Sequence, residues 1–396
     1  MNPSTVRRSL TAVAVGTTGL RRPGRDAWRT TLITLVCLAV AVGLSAGLIA
    51  ISGGSPSAVV RALYTGSVAD AAAWGQTLVN ATPLLLVALG ACIANRAGVF
   101  NIGQEGQLLI GAMVGCAVAL HLTGPGWLVI PVALAAAALG GGAWSGVSAV
   151  MYYKRGTNVV VSTLLMTFVG LQVVQFALNS PALLQESGKD VARVQSDQVP
   201  EYLRLPSFGR YPDLAVGSGF LLAVVATIVL AVLLGRSRWG FRLRMLGLNP
   251  LAARHAGIRG SRLGGSALVL SGAFAGLAGG VILLSTVFRL QPALANNFGW
   301  DGLLVALVAR SRPGLALPVA LLFGALRSGA SFLAATGVPN YLVDVVQALL
   351  VLAFVVPPLL SAALARRRPA PVPAAPADPA GPTAGPTVTT KEEVAV

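Results

Sequence analysis

Two charged side chains, Arg327 and Asp344, sit inside long apolar runs of this sequence. Two more, Glu105 and Asp301, stand at the edges of such runs. An ionised group in the middle of a membrane costs roughly 2.5–3.5 kcal/mol on insertion scales, so it usually faces a bundle interior or a water-filled cavity. Carboxylates so placed could bind a coupling proton or sodium ion. An arginine so placed could hold a carboxylate. An Arg327–Asp344 pair is one arrangement, and exposure of either charge to a water-filled vestibule is the other. Asn158, Ser162, Thr163, Asn340 and Gln347 add uncharged hydrogen-bonding groups. A lining of that kind suits a solute that is polar but neutral. Taken singly, each also has the plainer role of a hydrogen bond between helices. The candidate path is Asn101, Gln104, Glu105, Asn158, Asn297, Asp301, Arg327, Asn340 and Asp344.

Bond-breaking chemistry has little to stand on. His121 and His255 fall in segments that cannot meet, and neither HExxH nor GxSxG occurs. No GxxxxGK[ST] loop is present, and Gly188-Lys189 is the sole Gly-Lys pair, so the chain cannot hydrolyse a nucleotide by that route. Cys37, Cys92 and Cys116 lie in apolar runs without metal-ligand spacing, and read as small membrane-buried hydrophobes. We expect no metal, no cofactor in this chain and no enzymatic activity.

The elements that must position these residues follow from composition. Of 396 residues, 55% are hydrophobic and 11% charged, against roughly 25% charged in soluble domains. Most of the chain needs lipid as its solvent. Apolar runs long enough to cross a ~30 Å layer fall near 31–51, 77–94, 103–121, 128–150, 158–179, 216–235, 266–285, 301–310, 315–334 and 340–362. The fold class is an all-α polytopic membrane protein of about ten transmembrane helices. The net charge of +16 sits in short segments between the runs: Arg96, Lys154–Arg155, seven arginines from Arg236 to Arg262, Arg310 and Arg312, and Arg366–Arg368. That is the positive-inside pattern, and it excludes a nucleic-acid reading. Both termini fall inside. The run at 31–51, behind six arginines, reads as an uncleaved first helix. Residues 1–30 form a basic cytoplasmic tail, 31–365 the transmembrane domain, and 366–396 a disordered Pro/Ala-rich tail. Residues 180–215, of mixed charge, form an external loop. The location is a prokaryotic plasma (inner) membrane.

Two places are irregular: the short run 301–310, and the polar stretch Asn95–Gly106 between apolar runs. Broken backbone at membrane depth survives only inside protein or beside a water-filled cavity. The two places echo each other. Asn101-Ile-Gly103-Gln-Glu105-Gly106 matches Asn297-Phe-Gly299-Trp-Asp301-Gly302, and Asn158–Ser162 matches Asn340–Asp344. The copies run in opposite directions in this topology, which is an inverted internal repeat. Asn101 and Gln104 also have the spacing of a capping box, with Glu105 in the first helical turn. The glycine pairs Gly111–Gly115, Gly142–Gly146, Gly272–Gly276 and Gly276–Gly280 predict close helix packing.

The cytoplasmic segment 236–264 carries seven arginines and no acid. Within it Asn249 suits a helix N-cap, Pro250 the first helical position and Gly257 the stop. So short a helix is marginal alone. It is either part of a basic, topology-setting loop or a docking helix presenting Arg254 and His255 to a partner.

That loop, together with Ala97–Ala112 (AGVFNIGQEGQLLIGA) and Ser271–Gly280 (SGAFAGLAGG), resembles the permease subunits of ATP-binding-cassette importers for branched-chain amino acids, simple sugars and nucleosides. The second stretch is similar to permeases paired with nucleoside-binding lipoproteins. The resemblance covers roughly residues 75–360. It implies a second permease, favouring a paralogue, a cytoplasmic ATPase that binds the ATP and magnesium, and an external solute-binding lipoprotein. Two rivals stand beside it: an ion-coupled secondary transporter using Glu105, Asp301 and Asp344, and a membrane enzyme or scaffold.

Overall fold

The computed structural model describes residues 24–51, 56–187, 194–209 and 216–335, with a few helical positions between 345 and 357. The run expected at 340–362 falls almost wholly outside these, as do Asn340, Asp344, residues 1–23 and the tail 366–396. The described chain is mostly helical: α1 (Gly24–Ile51), α2 (Pro56–Ser67), α3 (Ala71–Arg96), α4 (Gln104–His121), α5 (Gly126–Arg155), α6 (Val159–Asn179), α7 (Ser218–Arg236), α8 (Arg238–Leu248), α9 (Pro250–His255), α10 (Gly260–Ile282), α11 (Phe298–Val308) and α12 (Pro313–Ala335). Six of the described helices are long and apolar enough to cross a membrane, and others are shorter and apolar. Neither α2 nor α8 was expected as a helix. Each mixes polar and apolar residues on a short segment, so neither reads as a continuous apolar run.

Burial follows from what each helix shows its neighbours. Every residue of α3 from Ala81 to Ala94 is buried. A helix that is apolar all round belongs at a centre, and α10 lies against it as the second axis. The outer helices reverse the soluble pattern. α6 exposes Val161, Leu165, Phe168 and Phe176, and α7 exposes Val225, Ile228 and Val229. Water would not tolerate so broad an apolar surface. The chain is a multi-pass membrane protein.

Close packing rests on small residues. A Cβ on Gly276 of α10 would strike the Ala137 carbonyl of α5, and one on Gly111 of α4 would strike the backbone of Gly276. Gly141 of α5 lies equally tight against Gly272 and Gly276. Three helix backbones therefore meet with no side chain between them. Gly115, Gly272 and Gly280 join this contact, while Gly146 packs more loosely, on the side chain of Val269.

The two ends of the bundle differ chemically. At one end, Arg96 donates to the Leu234 carbonyl in the last turn of α7 at 3.0 Å, and Asn95 donates to Ser311 at 3.1 Å. Arg244 and Arg312 lie within electrostatic reach of Arg96. At the other end, an irregular segment follows α10. A π turn (Leu283–Val287) stops at Phe288 with φ of 55°. This segment pairs with residues 196–205: Ser196 N donates to Leu290 O at 2.9 Å, Val199 N to Phe288 O at 2.9 Å and Leu205 N to Leu284 O at 2.8 Å. Arg289 pairs with Glu186. Hydrogen bonds from Gln195 and Arg289 hold the Glu186 carboxyl below its ordinary value. A two-stranded hairpin, Ser207–Phe208 with Val216–Gly217, completes this end.

Gly276→Val should overpack the three-helix contact, at a cost of about 1–3 kcal/mol or more. The expected result is a large loss of monodisperse protein in fluorescence-detected size exclusion, whereas Gly146→Ala stays close to wild type.

Candidate functional site

Both irregular places begin a helix inside the bundle, at the same level of α3. Gln104 opens α4, and its Nε2 donates to the carbonyl of Val87 at 3.0 Å. Val87 is nine residues short of Arg96 on α3, which is about 13 Å at the helical rise. Gly302 of α11 packs on Val87 and Leu84. The two helices then leave in opposite directions. α4 runs to the end where Cys116 meets Ser196, and α11 to the end where Ser311 meets Asn95. With 11 residues, α11 is about 16 Å long, half of a ~30 Å layer.

The junction is made by Glu105. From the first turn of α4 its carboxylate crosses to the start of α11. Asn297 N donates to Oε1 at 2.9 Å and Gly299 N to Oε2 at 2.6 Å. Unpaired N–H groups and the dipole make a helix start favourable to an anion, and here the protein supplies that anion itself. The approach requires glycine at 299, where a Cβ would strike the Glu105 backbone. Asn296 and Asn297 take left-handed conformations, with φ of 38° and 63°, so the chain turns sharply into the helix.

Arg327 of α12 encloses the same helix start. It pairs with Asp301 at 2.6 Å, donates to the Asn296 carbonyl, and lies over the Phe298 ring at 4.1 Å. Among the described residues the partner of Arg327 is thus Asp301. Asp301 projects from the first turn of α11, whereas Asp344 lies outside the described residues.

A second network sits just behind. Asn101 donates to Gln107 at 2.9 Å and to Ser271 at 3.0 Å, and Gln107 donates back to Asn101 at 3.0 Å. Asn101 and Gln104 are each 1% exposed, and their amides tie the turn before α4 to Ser271 and to α3. The expected capping box is corrected. Gly103 is the N-cap, with no side-chain cap. Asn101 accepts from Gly103 N at 3.1 Å, and Gln104 turns to α3. Gly103 itself packs tightly on the Thr163 carbonyl, where a Cβ would not fit.

Of the nine path candidates, the structure brings together Glu105, Asn297, Asp301 and Arg327. Asn158 lies apart, exposed, as the N-cap of α6. Sequence reasoning missed Ser271 and Gln107 as partners, and Phe298 beneath the guanidinium.

The segment from Asn249 to Gly257 takes the expected shape. Asn249 accepts from Leu251 N and Ala252 N at 3.1 and 3.0 Å, Pro250 begins α9, and Gly257 has φ of 76°. Leu251 is 68% exposed, and Arg254 and His255 are exposed too. In the last turn of α8, the backbone of Gly247 touches Gly98 and the Arg96 carbonyl, and Gly98 has φ of 73°. The segment thus bears directly on the turn that leads to Asn101 and Glu105.

Arg327→Ala leaves Asp301 buried without its partner and is expected to destabilise by about 3–5 kcal/mol. Arg327→Met with Asp301→Leu should recover much of that loss. Thermal unfolding in detergent reads both.

Comparison with known proteins is consistent with this architecture. The family described as "Branched-chain amino acid transport system / permease component" matches residues 74–355. The guanosine ABC transporter permease protein NupP of Bacillus subtilis is 29% identical over 80% of this chain and 90% of its own length. The glucose ABC transporter permease protein TsgB13 of Haloferax volcanii is 32% identical over 70% of this chain and 74% of its own. The nucleoside ABC transporter permease protein NupB of Lactococcus lactis is 27% identical over 82% and 90%. With its bundle, its paired helix starts and a family match over most of its length, this chain belongs to the branched-chain amino acid transport system permease components of ABC importers.

Proposed function

We propose that this permease passes a neutral polar solute, a nucleoside or else a simple sugar, inward across the plasma membrane of a prokaryote. The carrying observation is the Glu105 carboxylate on the start of α11. A bare helix start at mid-membrane would attract an anionic group. This one is filled by a carboxylate, and the nearby cation, Arg327, is committed to Asp301. Such a site repels phosphorylated solutes and tolerates neutral ones. The names of the relatives, for guanosine, nucleosides and glucose, fit that selection.

In this reading the basic end faces the cytoplasm, about ten helices span the bilayer, and both termini lie inside. The opposite directions of α4 and α11 from one level support the inverted repeat. A separate ATPase binds ATP and magnesium and presses on α9 through Leu251, Arg254 and His255. A paralogous permease completes the membrane half, and an external lipoprotein delivers the solute. The ion-coupled rival needs carboxylates free to load and unload. Glu105 and Asp301 are both engaged, which favours the ATP-driven reading.

Proteoliposomes test it. Co-reconstituted with the ATPase, paralogue and binding protein, the permease is expected to accumulate guanosine or glucose with ATP and to leave guanosine monophosphate outside. Accumulation by this chain alone on a proton or sodium gradient would sink the proposal.

A second outcome concerns coupling. Asn249→Ala with Gly257→Val removes the cap of α9 and strains its stop. Uptake should fall at least about tenfold, while the protein inserts normally and ATP hydrolysis continues. Unchanged uptake would remove α9 from the coupling path.

A further inference from the structure

Among the described residues, one open groove of about 310 Å³ has a wholly apolar lining. Leu222, Val225, Val229 and Leu233 form its wall on α7, Phe274 and Leu277 face them from α10, and Trp239 of α8 closes one end. From Leu222 to Leu233 the slot runs eleven residues, about 16 Å along the helix. Its closed end is the basic end of the bundle. Arg236 continues the α7 stripe one turn beyond Leu233, and Arg242 lies one turn beyond Trp239 on α8. Both are exposed, and no acid occurs between Arg236 and Gly264.

We infer that this groove is a binding site for one anionic phospholipid, with an acyl chain along α7 and the headgroup on Arg236 and Arg242. The apolar slot alone would accept any chain. The cations at one end select the ligand, because guanidinium groups pair with phosphate and clustered basic residues at a membrane surface attract anionic lipids. Trp239 sits between slot and cations, where amphipathic aromatic rings settle at the headgroup level. A second copy of this chain fits less well. A two-fold contact places the same patch on both partners, so the unneutralised arginines would meet their own counterparts. The site is also distinct from α9, whose exposed residues carry the proposed ATPase contact.

Native mass spectrometry of the intact complex tests this without measuring transport, so its outcome is independent of the solute and ATPase assignments. The complex is exposed to equal amounts of phosphatidylglycerol and phosphatidylcholine with identical acyl chains. Phosphatidylglycerol should be retained with about a tenfold preference. R236Q/R242Q should bring the two lipids to parity, and R236K/R242K should keep most of the preference, which separates charge from folding. V229W, filling the slot, should reduce retention of both. Equal retention by the wild type, or a preference that survives R236Q/R242Q, overturns the site. Disulfide cross-linking of Val229→Cys to a neighbouring subunit would overturn it as well, by assigning the groove to a protein contact.

Discussion

A helix that begins inside an apolar bundle leaves N–H groups with no water to satisfy them. The described structure depends on how that debt is settled at Phe298. Glu105 covers two of the donors from another helix, and Arg327 ties the preceding carbonyl and the following carboxylate together. Three separate elements, α4, α11 and α12, are thereby locked at one point. A burial costly for each charge alone becomes tolerable because they are spent on one another and on the backbone. The glycine contacts among α4, α5 and α10 serve the same end, since they bring the re-entrant turn deep enough for Glu105 to reach across.

Much of this was legible in the residues, and the legible part is local. Apolar runs announced the long helices because length and hydrophobicity are properties of one segment. Asn249, Pro250 and Gly257 announced α9 because cap, first turn and stop are set by neighbours in sequence. The echo between Asn101–Gly106 and Asn297–Gly302 pointed to paired irregular places, and those places meet.

What escaped was tertiary. The contact of Arg327 with Asp301 could not be read, because Asp301 stands 26 residues away on a different helix and the pairing turns on three-dimensional placement. Gln104 looked like a capping residue by spacing, yet a buried carbonyl on α3 outcompeted the local backbone. α2 and α8 were hidden for another reason. Their apolar residues are too few to form a run, and what stabilises them is contact: Gly66 under Phe332 and Gly329, and Gly247 under Gly98.

The meeting of Gly247 with Gly98 has a mechanical meaning. Where side chains separate two elements, rotamer changes can absorb a displacement of one before the other moves. Here main chain rests on main chain, so there is no cushion. A shove delivered to the far side of α8 would travel undamped along a link of a few residues to the carboxylate that fastens α11.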